Sequence, residues 1–155
     1  MPRFILAPAA EQDIVSILAW THEHFGEQAR LRYEALLIQA IEDIADNPER
    51  PGSTPRDELV AGGRSYHLWH SRGRVDKAVG SVRKPRHFLI FRLNAGGDVE
   101  IGRVLHDSSE RSVNRILWSR YPDGRPSHGL LEFADVRVHA RFDLLDLDVR
   151  SARRM

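Results

Sequence analysis

The sequence predicts an α+β domain in which an N-terminal strand and a helical hairpin pack on a small antiparallel sheet of about four strands. Three observations carry this. Two stretches of helical hydrophobic period follow one another about two residues apart. Three β-like runs come next, the last two joined by a Gly-containing turn. The middle run is apolar on both faces, so each side needs a cover.

Residues 3–7 read as a short strand ended by Pro8, which cannot donate to a ladder. A helix starts at Ala9 or Ala10, with Glu11 and Asp13 in its first turn, where carboxylates suit the helix dipole. Ile14, Ile17, Leu18, Thr21 and Phe25 fall within an arc about 100° wide, a stripe facing the core. Trp20 lies outside that stripe and is expected to be partly exposed, and Gly26 stops the helix. A second helix runs from about Glu27 to Ala45. Its apolar arc of about 140° holds Ala29, Tyr33, Leu36, Leu37, Ala40, Ile41 and Ile44. It closes at Asp46-Asn47-Pro48, because the residue before a proline leaves the α region. So short a link makes the two helices antiparallel.

Residues 47–63 hold Pro48, Pro51, Pro55, Gly52, Gly62 and Gly63 and read as an irregular crossing. The β-like runs are 64–70, 87–93 and 99–106, and the turn at 94–98 makes the last two antiparallel neighbours. Residues 71–86 carry Arg72, Arg74, Lys77, Arg83, Lys84 and Arg86; they are long for a hairpin loop and read as a mobile basic flap. On the middle run Phe88 and Ile90 alternate with Leu89, Phe91 and Leu93. The hairpin covers one face, and the other calls for residues further along the chain or a second protein. After residue 108 the pattern gives a short helix over 109–120 and a weakly alternating strand over 133–144. The organisation is therefore a domain over 1–110 and an extension over 111–155.

With 155 residues and no cysteine, the chain is long enough to bury roughly two thirds of its unfolded surface without staples. Thiol catalysis and cysteine-based zinc sites are excluded. No apolar run approaches the ~20 residues of a membrane span, and the apolar start is too short for a signal peptide, so the cytoplasm is the expected compartment. The net charge of +1 is a cancellation: residues 11–49 hold two Arg against nine acids, residues 56–92 nine Lys and Arg against three, and residues 111–155 nine Arg against six. An acidic hairpin thus stands beside a basic loop and sheet, which suits a phosphate-bearing or acidic partner on one side.

No nucleotide, metal or nucleophile motif is present, and no cofactor is expected. Gly62-Gly63 and Gly96-Gly97 lack the spacing of a phosphate loop, and His22 and His24 point apart on their helix. What stands out is a set of cations on the strands, Arg64, Arg92, Arg103 and His106, with Tyr66 and His87 nearby. A half-buried arginine needs a carboxylate, a carbonyl or a phosphate. Either Arg64 and Arg103 tie to Asp57, Glu58 or Glu100, or these groups and the basic loop face a phosphate or a partner.

Four segments come in a telling order: Leu6-Ala-Pro-Ala-Ala-Glu-Gln-Asp-Ile14, Ala45-Asp-Asn-Pro48, Gly62-Gly-Arg-Ser-Tyr66 and Gly102-Arg-Val-Leu-His-Asp107. Together, over about residues 3–110, the chain resembles the ParE branch of the RelE/ParE toxin superfamily. The resemblance implies a small bacterial cytoplasmic toxin of a type II toxin–antitoxin pair, associated with plasmid stabilisation and held in a hetero-oligomer. Its antitoxin would lie across the hairpin and sheet, with Leu18, Trp20, Tyr33, Leu37, Leu89, Phe91 and Leu93 as the contact residues. In this branch the target is DNA gyrase, which Arg64, Arg83, Lys84, Arg86 and Arg103 would face.

The alternative is a RelE-type endoribonuclease acting on mRNA at the ribosome, with Arg64, Tyr66, Arg92, Arg103 and His106 as acid, base and phosphate groups. Cleavage through a ribose 2′-hydroxyl needs those groups on one face. Alternation sets Arg103 opposite His106, and the only lysines, Lys77 and Lys84, lie in the loop. An inhibitor without chemistry of its own is therefore favoured; a degenerate, non-toxic binding module is the third reading. The loop 71–86 and the extension 111–155 both depart from the family pattern.

Overall fold

In the computed structural model, which describes residues 4–109, the chain forms β1 (Phe4–Leu6), α1 (Pro8–Phe25), α2 (Glu27–Asp46), β2 (Ser53–Pro55), β3 (Arg64–His67), a 3-10 helix (Leu68–Arg74), β4 (His87–Leu93) and β5 (Val99–His106). The strands form one sheet in the order β1-β5-β4-β3-β2. The α+β class and the helical hairpin are as expected. The sheet differs in two ways: residues 53–55, read as irregular, add a fifth strand, and β1 joins β5 in parallel, so the sheet is mixed. The elements expected within 111–155 lie outside the described residues, among which no helix is long and apolar enough to cross a membrane.

Pro8 does more than end β1. It opens α1, where a fixed φ and a missing N–H cost nothing. The two helices meet at Gly26, whose φ of +87° lies in the left-handed region that glycine tolerates best. Their apolar arcs close over one face of the sheet: Ile14, Leu18, Leu36, Leu37, Ala40, Ile41 and Ile44 pack with Tyr66, Leu89, Phe91, Val99, Ile101 and Val104.

On β5 the inward residues Val99 and Ile101 are followed by Val104, an odd step. The register explains it: Ile90 faces Arg103 and Phe91 faces Ile101, so Gly102 is the extra residue of a bulge that reverses the alternation. The second face of β4 is covered from earlier in the chain. Phe88 and Ile90 cluster with Leu59, with Leu105 against them, so among the described residues the crossing segment contributes the cover of this face.

β5 runs past β1, and Asp13 of α1 serves this stretch. It accepts the Val104 N–H at 2.9 Å and both forks of the Arg103 guanidinium at 2.7 and 3.0 Å. Arg103 is thus tied inside the fold, though to Asp13 and not to the carboxylates its sequence neighbours suggested.

The run 64–70 is strand only to His67. The His67 ring accepts the Trp69 N–H at 3.0 Å and starts the 3-10 helix. The expected basic flap is pinned at its start, because buried Ser71 donates to Asp43 at 2.6 Å and Arg74 reaches the same carboxylate at 3.0 Å. Asp43 also receives Gln39 at 2.9 Å and Arg50 at 3.2 Å, and Tyr66 bonds to Ser71 at 2.8 Å. Burial alone would raise the Asp43 carboxyl, but the bonds from Ser71, Gln39 and Arg74 and the charge of Arg50 outweigh it and hold it below the usual range.

Candidate functional site

The second half of α1, the start of α2, residues 81–86 and the adjoining ends of β4 and β5 enclose a groove of about 680 Å³. Its wall is apolar, with Ile17, Trp20, Phe25, Ala29 and Val82. Its inner end is polar, with Tyr33, His87 and His106, and three cations stand on it, Arg32, Lys84 and Arg86. Trp20 and Phe25 are 53% and 67% exposed, their rings edge to face at 5.6 Å, and Trp20 stacks on His24 at 4.2 Å. Trp20 is exposed as expected. Phe25, read as part of the core stripe, is not buried: the buried stripe of α1 ends at Thr21, one turn earlier.

At the inner end the Tyr33 hydroxyl lies 2.6 Å from His87 Nδ1 and accepts the Arg86 backbone N–H at 3.2 Å, which leaves its own proton for the imidazole. Burial drives His87 down to about 4, helped by the neighbouring His106 charge, so the ring is neutral at pH 7. Burial likewise pushes Tyr33 up to about 12, against the Arg86 amide. His106 packs edge-on to His87 at 5.2 Å, and Asp107 beside it binds Arg86 at 3.0 Å. Desolvation would raise Asp107, but the Arg86 bond and charge hold it below the ordinary range.

Of the groups a nuclease would use, only His106 lines this groove. Arg64 donates to Ser53 Oγ at 2.7 Å, Arg92 pairs with Glu100 at 3.0 Å, Arg103 is held by Asp13, and Tyr66 is fully buried. These side chains do not converge. A hydroxyl raised to about 12 and an imidazole lowered to about 4 are also poorly matched to proton transfer at neutral pH.

Of the expected antitoxin contacts, Trp20 and Tyr33 line the groove. Leu18, Leu37, Leu89 and Phe91 lie in the core between hairpin and sheet, since they occupy the inward positions of their elements, and Leu93 is 51% exposed at the far end of β4. Of the expected target contacts, Lys84 and Arg86 line the groove and Arg83 is exposed beside them, whereas Arg64 and Arg103 point into other partnerships. Sequence reading missed Phe25, His87 and Val82 as groove residues. Val82 is one of three valines in the basic loop, with Val75 and Val79, and nothing in the sequence singled it out.

Every element around the groove lies within residues 4–111, the span matched by the family model of the ParE toxin of the type II toxin–antitoxin system parDE. The chain belongs to the ParE toxin family. It is thereby a toxin of a type II toxin–antitoxin pair, and the family implies a cognate antitoxin as its partner. No curated protein matches the chain.

The neutral His87 gives this ParE-family fold a pH dependence of definite sign. The unfolded imidazole titrates near 6.5 and the folded one at about 4, so between those values the unfolded state binds more protons. Stability should be full above pH 6.5 and fall as pH drops toward 4, by up to about 3 kcal/mol at ~1.4 kcal/mol per pH unit. His87→Asn, which keeps an acceptor for Tyr33, should flatten urea-unfolding stability over that window; an unchanged slope would refute the assignment.

Proposed function

We propose that this toxin stops growth in the cytoplasm by poisoning DNA gyrase, without catalysis of its own, and that its cognate antitoxin neutralises it by seating in the groove as part of a hetero-oligomer. The observation that carries the non-catalytic reading is the state of the strand arginines. A guanidinium held by Asp13 through two bonds at 2.7 and 3.0 Å has its recognition fork spent, and Arg92 and Arg64 are likewise engaged elsewhere. A phosphate undergoing cleavage needs such groups together. The exposed basic loop, with Arg83 and Lys84 beside Arg86, remains as a surface for the target.

Expression from a tight promoter, with and without the antitoxin gene, tests this. Growth should stop only without antitoxin, a DNA-damage response should follow with mRNA intact, and the purified toxin should make gyrase accumulate cleaved DNA. Early codon-phased mRNA cleavage would establish the ribosomal endoribonuclease instead, and absence of any growth defect would establish a non-toxic binding module.

A further inference from the structure

The groove is apolar with a basic rim, and the chain carries an apolar, acidic segment of its own. Arg32, Lys84 and Arg86 line the groove; among its described lining residues there is no carboxylate, although Arg86 already binds Asp107 at 3.0 Å and remains 60% exposed. Trp20 and Phe25, each more than half exposed, form an aromatic surface there. Beyond the described residues the sequence reads Phe142-Asp143-Leu144-Leu145-Asp146-Leu147-Asp148-Val149. This stretch sets five large apolar residues among three carboxylates and contains no cation, in an extension that is otherwise rich in arginine.

We propose that residues 142–149 dock in the groove of their own chain, with apolar side chains on Trp20, Phe25 and Val82 and carboxylates on the rim of Arg32, Lys84 and Arg86. Charge and apolar character are complementary on the two sides. Reach is sufficient as well. His106 lines the groove, so the described chain ends close to it, and the 32 residues of 110–141 have a maximum reach of roughly 100 Å at ~3.3 Å per residue, ample for residues 142–149 to return to it. Because segment and groove belong to one chain, the contact is intramolecular and needs less intrinsic affinity than one between separate molecules. The segment then competes with an antitoxin for the same surface. That consequence rests on the antitoxin reading above, whereas the docking itself does not.

The chain has no cysteine, so an introduced pair reports a single proximity. In the full chain, Ser81→Cys with Ser151→Cys should form an intramolecular disulfide under mild oxidation at least ~10-fold faster than Ala95→Cys with Ser151→Cys. Ala95 sits beyond the other end of β4, roughly 20 Å away at 3.3 Å per residue. Reversing the charges with Asp143→Lys, Asp146→Lys and Asp148→Lys should bring the fast rate down to the slow one, and Trp20→Glu should do the same from the groove side.

Equal rates for the two pairs, or a fast rate indifferent to both changes, would overturn the proposal. A disulfide-linked dimer in place of the monomeric product would overturn it too, giving the groove to a second copy. None of these readings depends on gyrase, on antitoxin or on toxicity, so failure of the functional proposal is seen separately.

Discussion

Asp43→Ala should lower the unfolding free energy by about 3 kcal/mol, a large share of what a domain of this size possesses. The carboxylate is 4% exposed and accepts Ser71, Gln39, Arg74 and Arg50. Loss of Arg74 costs little, because that side chain is 57% exposed and returns to water. Arg50, at 19% exposure, and the hydroxyl chain through Ser71 to fully buried Tyr66 have no such escape. Asp43→Asn keeps one acceptor and should cost clearly less. Chemical denaturation of the two variants checks both values; equal, sub-kilocalorie losses would show that the network is not a structural tie.

Trp20→Glu should weaken antitoxin binding roughly 100-fold while leaving the thermal midpoint almost unchanged. If the antitoxin seats in the groove as proposed, an exposed aromatic anchor there carries on the order of 2–4 kcal/mol of binding, but at 53% exposure it contributes little to the fold. Phe25→Ser should act in the same direction. Titration calorimetry with the cognate antitoxin is the measurement. Unimpaired affinity would move the antitoxin off this groove. A collapsed midpoint would show that the Trp20 ring is structural.

The hairpin and β4 and β5 were legible because their signals are local. Helical arcs, a proline after Asn47 and a Gly-containing turn each act over a few residues. β2 was not, since three residues with a proline among them are strand only by virtue of pairing with Arg64, Ser65 and Tyr66. The parallel union of β1 with β5 was equally silent, because nothing in residues 4–6 states which distant edge they join. For the groove, exposure of Trp20 followed from its position on the helix. That Phe25 stays exposed on the groove, and that Tyr33 and His87 meet across 54 positions of sequence, belongs to tertiary packing alone. Arg103 is the clearest case: the need for an acidic partner was readable, and its identity as Asp13, 90 positions away, was not.

The pairing of β1 with β5 also orders events during synthesis. Phe4, Ile5 and Leu6 leave the ribosome first, yet their hydrogen-bonding neighbours Val99, Glu100 and Ile101 belong to the last strand of the described sheet to be made. β5 is the strand that both β1 and β4 require, so the sheet cannot close and the hairpin has no complete floor until that segment emerges. A nascent chain stalled before residue 99 thus leaves β1 without its neighbour and the helical arcs without Val99, Ile101 and Val104 to pack on. The five strands can be assembled in their observed order only after β5 has been made.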